Sequence, residues 1–552
     1  MNWIMRIFIV LFLLVFFSGG INAQTVSADW KIKKTTWTEA DEKEYSEFVS
    51  LIGQAVEKRQ CNSFKSCLQH PNNPYRGTDT AEFNIFADCA KLSYVMRGYF
   101  AWKKGLPFGV VNGIDKRDVT DNTGDLRYSK YGNKVISRIN FLPRPNGTGW
   151  KFVNGINALN STIPDSVYSA NFRFYFEGID DNNLFVDFYP VEVSRDAIVP
   201  GTNIYDPNGH VAIIYKVTDD GKIYFIDAHP DNSLTSGLYG TKFERSRPEH
   251  SAGFKNFRPL QLTGATYNAA VGSYVGGVLK PAKDQELPRH SLVQFFGTNN
   301  SLADWKKGVF QVDGTSYSFY DYVRVRLSKG NLKLDPVNEI KSLAEDICQT
   351  VQDRVQAVDT GLKSGVQNKV HPDRLPTNIY GTSGEWEEYS TPSRDARLKT
   401  SFKELRDSAE NLVLLLNQRD PRLVYSGANI KQDMLSSYSA VVNKCLIQYT
   451  KSNGQAQRLT LEQVRGRLFQ LSFDPYHCVE LRWGASSSEE LAACADDSTK
   501  RQWYANEHWL RNQIDRKYDA RMDYSLAELN GPKPSAGVET PPDVDIVHYL
   551  TH

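Results

Sequence analysis

The sequence has almost no net charge, because its 65 lysine and arginine residues are balanced by 64 aspartate and glutamate residues. A chain without an excess of one sign lacks the overall field that draws a protein to nucleic acid or to an anionic membrane. After its first segment it also lacks an apolar run of the roughly 20 residues that a membrane helix needs. We therefore expect no nucleic-acid partner and no stable membrane insertion of the mature chain.

Several motifs that carry metal or nucleotide chemistry are missing as well. The sequence contains no His-Glu-x-x-His, no Cys-x-x-Cys and no glycine-rich phosphate loop. These patterns place metal ligands or phosphate-binding amides at fixed spacings. The sequence thus predicts neither a metal nor a cofactor.

The one long apolar run lies in the first segment, "MNWIMRIFIVLFLLVFFSGGINAQ". Arg6 precedes an uninterrupted apolar stretch over residues 7–17, and small residues follow it up to Ala23. This layout is typical of a secretory signal peptide over residues 1–23, with an uncleaved membrane anchor as the alternative. We expect an exported protein, periplasmic or extracellular.

Cysteine is scarce, with seven residues in the chain. Thiols of exported proteins tend to pair, and an odd number leaves at least one unpaired within the chain. Proximity and helical context favour three disulfides, although the sequence alone does not fix connectivity. The favoured pairs are Cys61 with Cys67, Cys348 with Cys445, and Cys478 with Cys494. This pairing leaves Cys89 as the free thiol.

Two regions with different patterns follow the signal segment. Short strand-like runs separated by turn residues fill residues 24–335 and predict a mixed α+β domain. From Asp335–Pro336 onward apolar residues recur at spacings of three and four, which predicts an all-α domain over residues 336–530. A predicted helix there is "DMLSSYSAVVNKCLIQY", and the proline-punctuated tail over residues 531–552 is predicted to be extended.

Cys89 heads the run "CAKLSYVMRGYFAWKKGLP", whose apolar stripe predicts a helix ending near Gly105. A thiol at a helix N-terminus can act as a nucleophile when an imidazole takes its proton. Two strand-like runs, "GHVAIIYKV" and "KIYFIDAH", predict a hairpin that brings His210 beside Asp227 as a base and its orienting carboxylate. Alternatives stay open: Cys89 as a packed sulfur, Asp227 as a turn cap, and His229 as the third member.

These residues resemble the NlpC-type cell-wall endopeptidases of the papain-like cysteine peptidase superfamily. "NPYRG", "ADCAKLSYV", "PNGHVAIIY" and "YFIDAH" stand in the order of that family's pieces. The resemblance implies Cys89 as nucleophile, His210 as general base, Asp227 as orienter and Tyr75 as a helper at the oxyanion. The chain departs from the family in its long gap between Cys89 and His210, in Ala90–Lys91, and in Asp227 where many members carry histidine. The same order also resembles transglutaminase-like enzymes.

The resemblance implies a papain-like α+β catalytic domain with a large insertion at about residues 110–200, followed by the helical domain. We expect the insertion to form much of the wall of the substrate cleft. The function implied is a thiol hydrolase that cleaves an amide in a peptide or peptidoglycan-like substrate. A non-catalytic scaffold and transglutaminase-like amide transfer are the alternatives, and the helical domain is a candidate surface for an unknown protein partner.

Overall fold

A computed structural model describes residues 27–79, 83–176, 184–380, 384–516, 520–532 and 537–552 of the chain. The predicted signal peptide, residues 1–23, lies outside the described residues. Part of the aromatic stretch in the predicted insertion, residues 177–183, lies outside them as well.

The described chain mixes helix and sheet, which confirms the α+β prediction. Among the described residues before 330, seven segments are α-helical: α1 Glu39–Glu57, α2 Phe64–Gln69, α3 Cys89–Lys104, α4 Gly155–Asn157, α5 Ile163–Ser166, α6 Val293–Phe296 and α7 Phe319–Leu327. The others are α8 Pro336–Ser364, α9 Glu385–Tyr389, α10 Pro392–Asn417, α11 Ile430–Val442, α12 Leu461–Gly466, α13 Val479–Arg482, α14 Ser488–Leu491, α15 Ser498–Asn506, α16 His508–Arg511, α17 Leu526–Leu529 and α18 Ile546–Thr551.

The strands before residue 330 form one large sheet and several two-stranded ones. They are β1 Gly109–Lys116, β2 Asn133–Asn140, β3 Arg144–Asn146, β4 Gly149–Lys151, β5 Phe188–Pro190, β6 Asn203–Asp206, β7 His210–Val217, β8 Ile223–Ala228, β9 Leu234–Leu238, β10 Gly253–Phe257, β11 Leu260–Thr263, β12 Thr266–Asn268, β13 Ser273–Val275, β14 Val278–Pro281, β15 Phe310–Val312 and β16 Thr315–Tyr317. Six of them form an antiparallel sheet in the order β5-β10-β6-β7-β8-β9. The predicted hairpin is β7–β8 at the middle of this sheet.

The six-stranded sheet is buried on both faces, so β7 reads as a nearly continuous apolar run. Its odd-numbered residues, such as Val211 and Ile213, join a large core with the apolar stripe of α3 and with α1. Its even-numbered residues, such as Ala212 and Ile214, join a second core that includes α7. Because successive side chains of a strand point to opposite faces, one strand supports both layers. The N-terminus of α3 is thereby held close to the start of β7.

The region after residue 330 is mostly helical and has its own core between α8, α10 and α11. The prediction that it is all-α is wrong, because residues after α11 form a hairpin of β17 Leu446–Thr450 and β18 Ala456–Thr460. Ile447 and Tyr449 are buried and alternate with exposed neighbours, a period of two that no helix has. The predicted helix through "KCLIQY" therefore ends at Val442.

The tail is not extended throughout, which corrects a second prediction. It ends in α18, whose Ile546 and Leu550 are buried in the core formed by α8, α10 and α11. Asp545 caps this helix by accepting a hydrogen bond from the backbone N–H of His548. Four prolines precede this helix in the tail, and their number led to the prediction of an extended segment over a short amphipathic helix.

All three predicted disulfides are confirmed: Cys61–Cys67, Cys348–Cys445 and Cys478–Cys494. Cys89 is left with a free thiol, as the pairing predicts. Of the helices in the described ranges, none is both long and apolar enough to cross a bilayer.

Ion pairs join the α+β region to the helical region. On α8, Asp353 accepts from Arg59, and Asp346 pairs with the buried Lys242. On α10, Arg394 pairs with Asp231, which lies in the loop between β8 and β9. The helical region therefore packs against the end of the β7–β8–β9 sheet that carries the candidate catalytic side chains.

Candidate active site

Cys89 is the first residue of α3. The helix begins there because Asp88, its N-cap, accepts hydrogen bonds from the backbone N–H groups of Ala90 and Lys91. It ends at Gly105, whose left-handed φ of 64° favours glycine. The first N–H groups of a helix have no acceptor within it, so the N–H of Cys89 is a candidate donor to an oxyanion.

His210 is the first residue of β7 and follows a tight turn. The N–H of Gly209 donates to the carbonyl of Asp206 in that turn, and Gly209 has a φ of 83° that favours glycine. The His210 Nε2 atom lies 2.7 Å from Oδ2 of Asp227 on β8. A carboxylate acceptor assigns the proton to Nε2 and leaves Nδ1 as the basic nitrogen. The structure thus brings the predicted base and orienter together.

Asp227 is held by more than one neighbour. The Thr235 hydroxyl on β9 donates to its Oδ1, and Nε2 of His229 lies 3.7 Å from the same oxygen. His229 itself bonds Thr235 at 2.9 Å, whereas its ring centroid is 6.3 Å from that of His210. His229 therefore supports Asp227 from behind, and the geometry favours Asp227 over His229 as the partner of His210.

The Cys89 thiol lies against the backbone on both sides of His210. Its Sγ donates to the carbonyl oxygen of Gly209 at 3.9 Å, and the N–H of Val211 bonds the sulfur and favours the thiolate. The thiol therefore hydrogen-bonds the backbone rather than the imidazole. Transfer of its proton to Nδ1 requires the thiol to leave the Gly209 carbonyl.

A cleft of about 140 Å³ opens over Cys89 and His210. The predicted insertion contributes Arg127, Tyr128, Tyr168 and Ser169 to its wall, whereas residues 110–200 were expected to form much of it. The helical region supplies another part of the wall, which was not predicted from the sequence. That part of the wall consists of Ile379, Tyr380, Glu387, Ser390, Thr391, Pro392, Ser393, Arg394, Arg397 and Arg516.

Tyr75 is not among the described residues that line this cleft. Its ring lies in an aromatic cluster with Phe48, Tyr99 and Phe100 on the α1 side of the core. Burial, together with acidic residues of α1, raises the pKa of its hydroxyl to about 12. The structure gives no support to the prediction that Tyr75 assists at the oxyanion.

The electrostatics of the site favour an uncharged Cys89 thiol and an uncharged His210 imidazole. Burial, followed by the charge of Asp88, raises the pKa of the Cys89 thiol to about 12. Burial and the nearby charge of Arg397 lower the pKa of His210 to about 4, against the opposing effect of Asp227. Burial would raise the pKa of Asp227, but the His229 and His210 rings hold that pKa well below its usual range. At neutral pH the site therefore holds a thiol, an imidazole and a carboxylate.

Two groups in the described part of the chain have side-chain atoms close enough to be considered as metal ligands. One contains Cys478 and Cys494, whose sulfurs are joined in a disulfide and cannot ligate as thiolates. The other consists of His371, Asp474 and Glu507, within 4.8 Å of one another. His371 Nε2 already bonds Asp474 at 2.7 Å. Neither group lines the cleft over Cys89.

Comparisons with protein-family models, with curated proteins and with solved structures found no significant match to this chain.

Proposed function

We propose that the chain is an exported thiol hydrolase of the papain-like, NlpC type, which cleaves an amide in a cell-wall or other extracytoplasmic peptide. Cys89 is the nucleophile, His210 the general base and Asp227 the orienter. The observation that carries the proposal is the position of the one unpaired cysteine at a helix N-terminus, in a cleft that it shares with His210, whose ring is bonded to Asp227.

The cleft supports a two-step acyl transfer. Nδ1 of His210 takes the thiol proton as Sγ attacks the amide carbon, and the oxyanion accepts from the N–H of Cys89. The imidazolium then gives its proton to the amide nitrogen, the C–N bond breaks, and the amine leaves a thioester on Cys89. A water molecule, deprotonated by His210, attacks the thioester carbon and releases the acid and the free thiol. Asp227 stabilises the imidazolium in both steps.

A non-catalytic binding protein is the second candidate. The observation that favours it is the neutral resting pair: burial raises the thiol pKa to about 12, and the thiol bonds a backbone carbonyl. Active-site thiols are more often found with lowered pKa values. In that case the cleft holds a ligand and Cys89 is a packed sulfur.

Digestion of peptidoglycan fragments distinguishes the thiol hydrolase from the non-catalytic binding protein. Muropeptides released by a muramidase are incubated with the protein, and new amino and carboxyl termini are identified by mass spectrometry. We expect the wild-type protein and the His548→Ala control, an exposed histidine on α18, to cut one bond type. Cys89→Ala and His210→Ala are expected to lose the activity while keeping the thermal transition.

An added labelled amine separates hydrolysis from amide transfer. Hydrolysis gives products with a free carboxyl end, whereas a transglutaminase-like enzyme gives products that carry the amine. Cleavage that persists in Cys89→Ala would contradict the proposed role of the thiol. Absence of cleavage across muropeptides and a random peptide library would favour the binding protein.

A further inference from the structure

Two arginines of the helical region line the cleft and have guanidinium nitrogens without a hydrogen-bond acceptor. Among the residues that the structure describes, Arg397 on α10 makes no side-chain hydrogen bond or ion pair, and its buried Nη1 has no acceptor. Arg516 gives one hydrogen bond, from Nη2 to the carbonyl oxygen of Asn208, while its buried Nε and Nη1 have none. Burying an unpaired guanidinium is costly, so a partner of opposite charge is expected.

The N-terminus of α10 lines the same cleft. Thr391, Pro392, Ser393 and Arg394, its cap and first turn, line the cleft beside Arg397. The N-cap side chain of Thr391 does not cap the helix, since its hydroxyl donates to Asp395 instead. The helix spans 26 residues and its dipole is positive at this end. Helix N-terminal N–H groups and free guanidinium groups both bind anions.

The other charged residues of the cleft already have partners. Arg394 pairs with Asp231 at 3.0 Å, and Arg127 pairs with Asp125 at 2.7 Å. The carboxylates that line the cleft have partners as well, because Asp88 caps α3 and pairs with Lys91, and Glu387 lies 3.7 Å from Arg127. Asp227 lies behind His210 and is bonded by His210 and Thr235; its charge also attracts Arg397, without a hydrogen bond between the two side chains. Among the described residues that line the cleft, Arg397 and Arg516 are therefore the arginines without a hydrogen-bonded carboxylate.

We propose that Arg397, Arg516 and the N-terminus of α10 form a carboxylate-binding subsite next to Cys89 and His210, which selects an anionic peptide substrate. The inference rests on the proposed function, whose substrate class it narrows to peptides with a carboxylate close to the amide that is cut. Peptides carry such a group at a C-terminus or on an acidic side chain.

The fork of an arginine matches the two oxygens of a carboxylate, which is why this group fits better than a single hydrogen-bond acceptor. Proximity to the reacting groups is supported by the charges that reach His210: Arg397 and Arg516 both lower the pKa of its imidazole. A bound carboxylate would therefore lie within electrostatic reach of the general base. The helical region would then complete the substrate site, in addition to covering the sheet.

Alkylation of Cys89 with two matched reagents tests the subsite. Iodoacetate carries a carboxylate, and iodoacetamide is its neutral counterpart. The rate ratio of the two is measured at pH 9 on the peptide containing "ADCAK" and compared with the ratio for glutathione. We expect the ratio at Cys89 to exceed that of glutathione by about tenfold, within the range of electrostatic enrichment in charged clefts. Arg397→Gln and Arg516→Gln are each expected to return it most of the way to the glutathione value.

Arg406→Gln is the matched control, because Arg406 lies on the same helix and pairs with Glu410 and Asp543 outside the cleft. It is expected to keep the wild-type ratio, and Arg397→Lys, which retains the charge, to keep part of it. If Arg397→Gln fails to fold, Arg516→Gln alone carries the comparison. A wild-type ratio equal to that of glutathione, or one unchanged in the glutamine variants, would overturn the subsite. Failure of both reagents to label Cys89 would overturn it too, because the cleft would then admit no ligand.

Alkylation requires no amide cleavage, so the two proposals fail separately. A protein without hydrolase activity can still show the preference for iodoacetate. An active hydrolase without this preference would retain the proposed function and lose the carboxylate subsite.

Discussion

One nitrogen of the His210 ring is hydrogen-bonded to Asp227. The other nitrogen is therefore the one that can accept the Cys89 proton. Nε2 donates to the carboxylate at 2.7 Å, and Oδ1 of the same carboxylate is held by Thr235. The sequence order of cysteine, histidine and aspartate predicted this pair. The arginines of α10 and Arg516 line the same cleft as His210. Their presence there could not be predicted, because those residues are distant in sequence and follow no local pattern.

Asp227→Asn tests the tautomer. An amide at this position can donate to Nε2 and so favours the proton on Nδ1, the wrong nitrogen for accepting the thiol proton. We expect kcat to fall by about 10⁴ if the loss matches that of other triads. The control is Asp219→Asn, an exposed carboxylate in the β7–β8 turn, which should keep wild-type kcat. Unchanged turnover in Asp227→Asn would show that Asp227 does not orient the base.

A second prediction at the residue scale concerns the alkylation of the Cys89 thiol. Protein purified without reductant should contain one alkylatable thiol, on the peptide with "ADCAK", since the other six cysteines are in disulfides. Because the pKa of Cys89 is raised to about 12, the thiol is protonated at neutral pH. Its iodoacetamide rate should therefore keep rising above pH 9, without a plateau between pH 5 and pH 8. Such a plateau would instead reveal a preformed thiolate–imidazolium pair.

At the scale of elements, local sequence patterns predicted the helices and hairpins whose formation depends on neighbouring residues. The apolar stripe that follows Cys89 and the stop at Gly105 predicted α3, and two strand-like runs predicted the β7–β8 hairpin. The predicted helix across "KCLIQY" failed because buried Ile447 and Tyr449 pair across a strand ladder, which long-range packing decides. Placement of α10 with its first turn in the cleft likewise depends on tertiary packing.

The Cys348–Cys445 disulfide ties α8 to the residue that precedes β17, across a sequence separation of 97. In the chain-entropy model, long loops gain the most from closure, so replacing both cysteines by serine should cost about 2–5 kcal/mol of unfolding free energy. The matched control is the double replacement of Cys61 and Cys67, separated by 6 residues, which should cost less. Denaturant midpoints measure both. Equal losses in the two variants would contradict an entropic origin.

At the scale of the whole molecule, the α+β and helical regions meet at the site and have separate cores. The boundary residues Asp335 and Pro336 begin α8, and the sequence predicted this start from the proline. The interface was not predictable, because its ion pairs join residues far apart, such as Arg394 with Asp231.

The buried His477 of the helical region makes the free energy of unfolding depend on pH. Burial lowers the pKa of His477 to about 4, from an ordinary value of about 6.5. The unfolded chain then binds a proton that the folded chain does not, so this contribution is complete above pH 6.5 and is lost as pH falls towards 4. His477→Gln should reduce the stability loss between pH 7 and pH 5 by roughly 1–2 kcal/mol. Thermal melts at both pH values measure it, and His548→Gln should behave as wild type.

The acyl-enzyme is the most direct test of the central claim that Cys89 cleaves an amide. The protein is mixed with muropeptides, quenched in acid within the first turnover, and analysed by intact mass and by the peptide containing "ADCAK". The account predicts a mass gain equal to the acyl portion of the substrate, located on Cys89, removed by hydroxylamine and missing in Cys89→Ala. Amide cleavage without any adduct on Cys89, or an adduct on another residue, would contradict it.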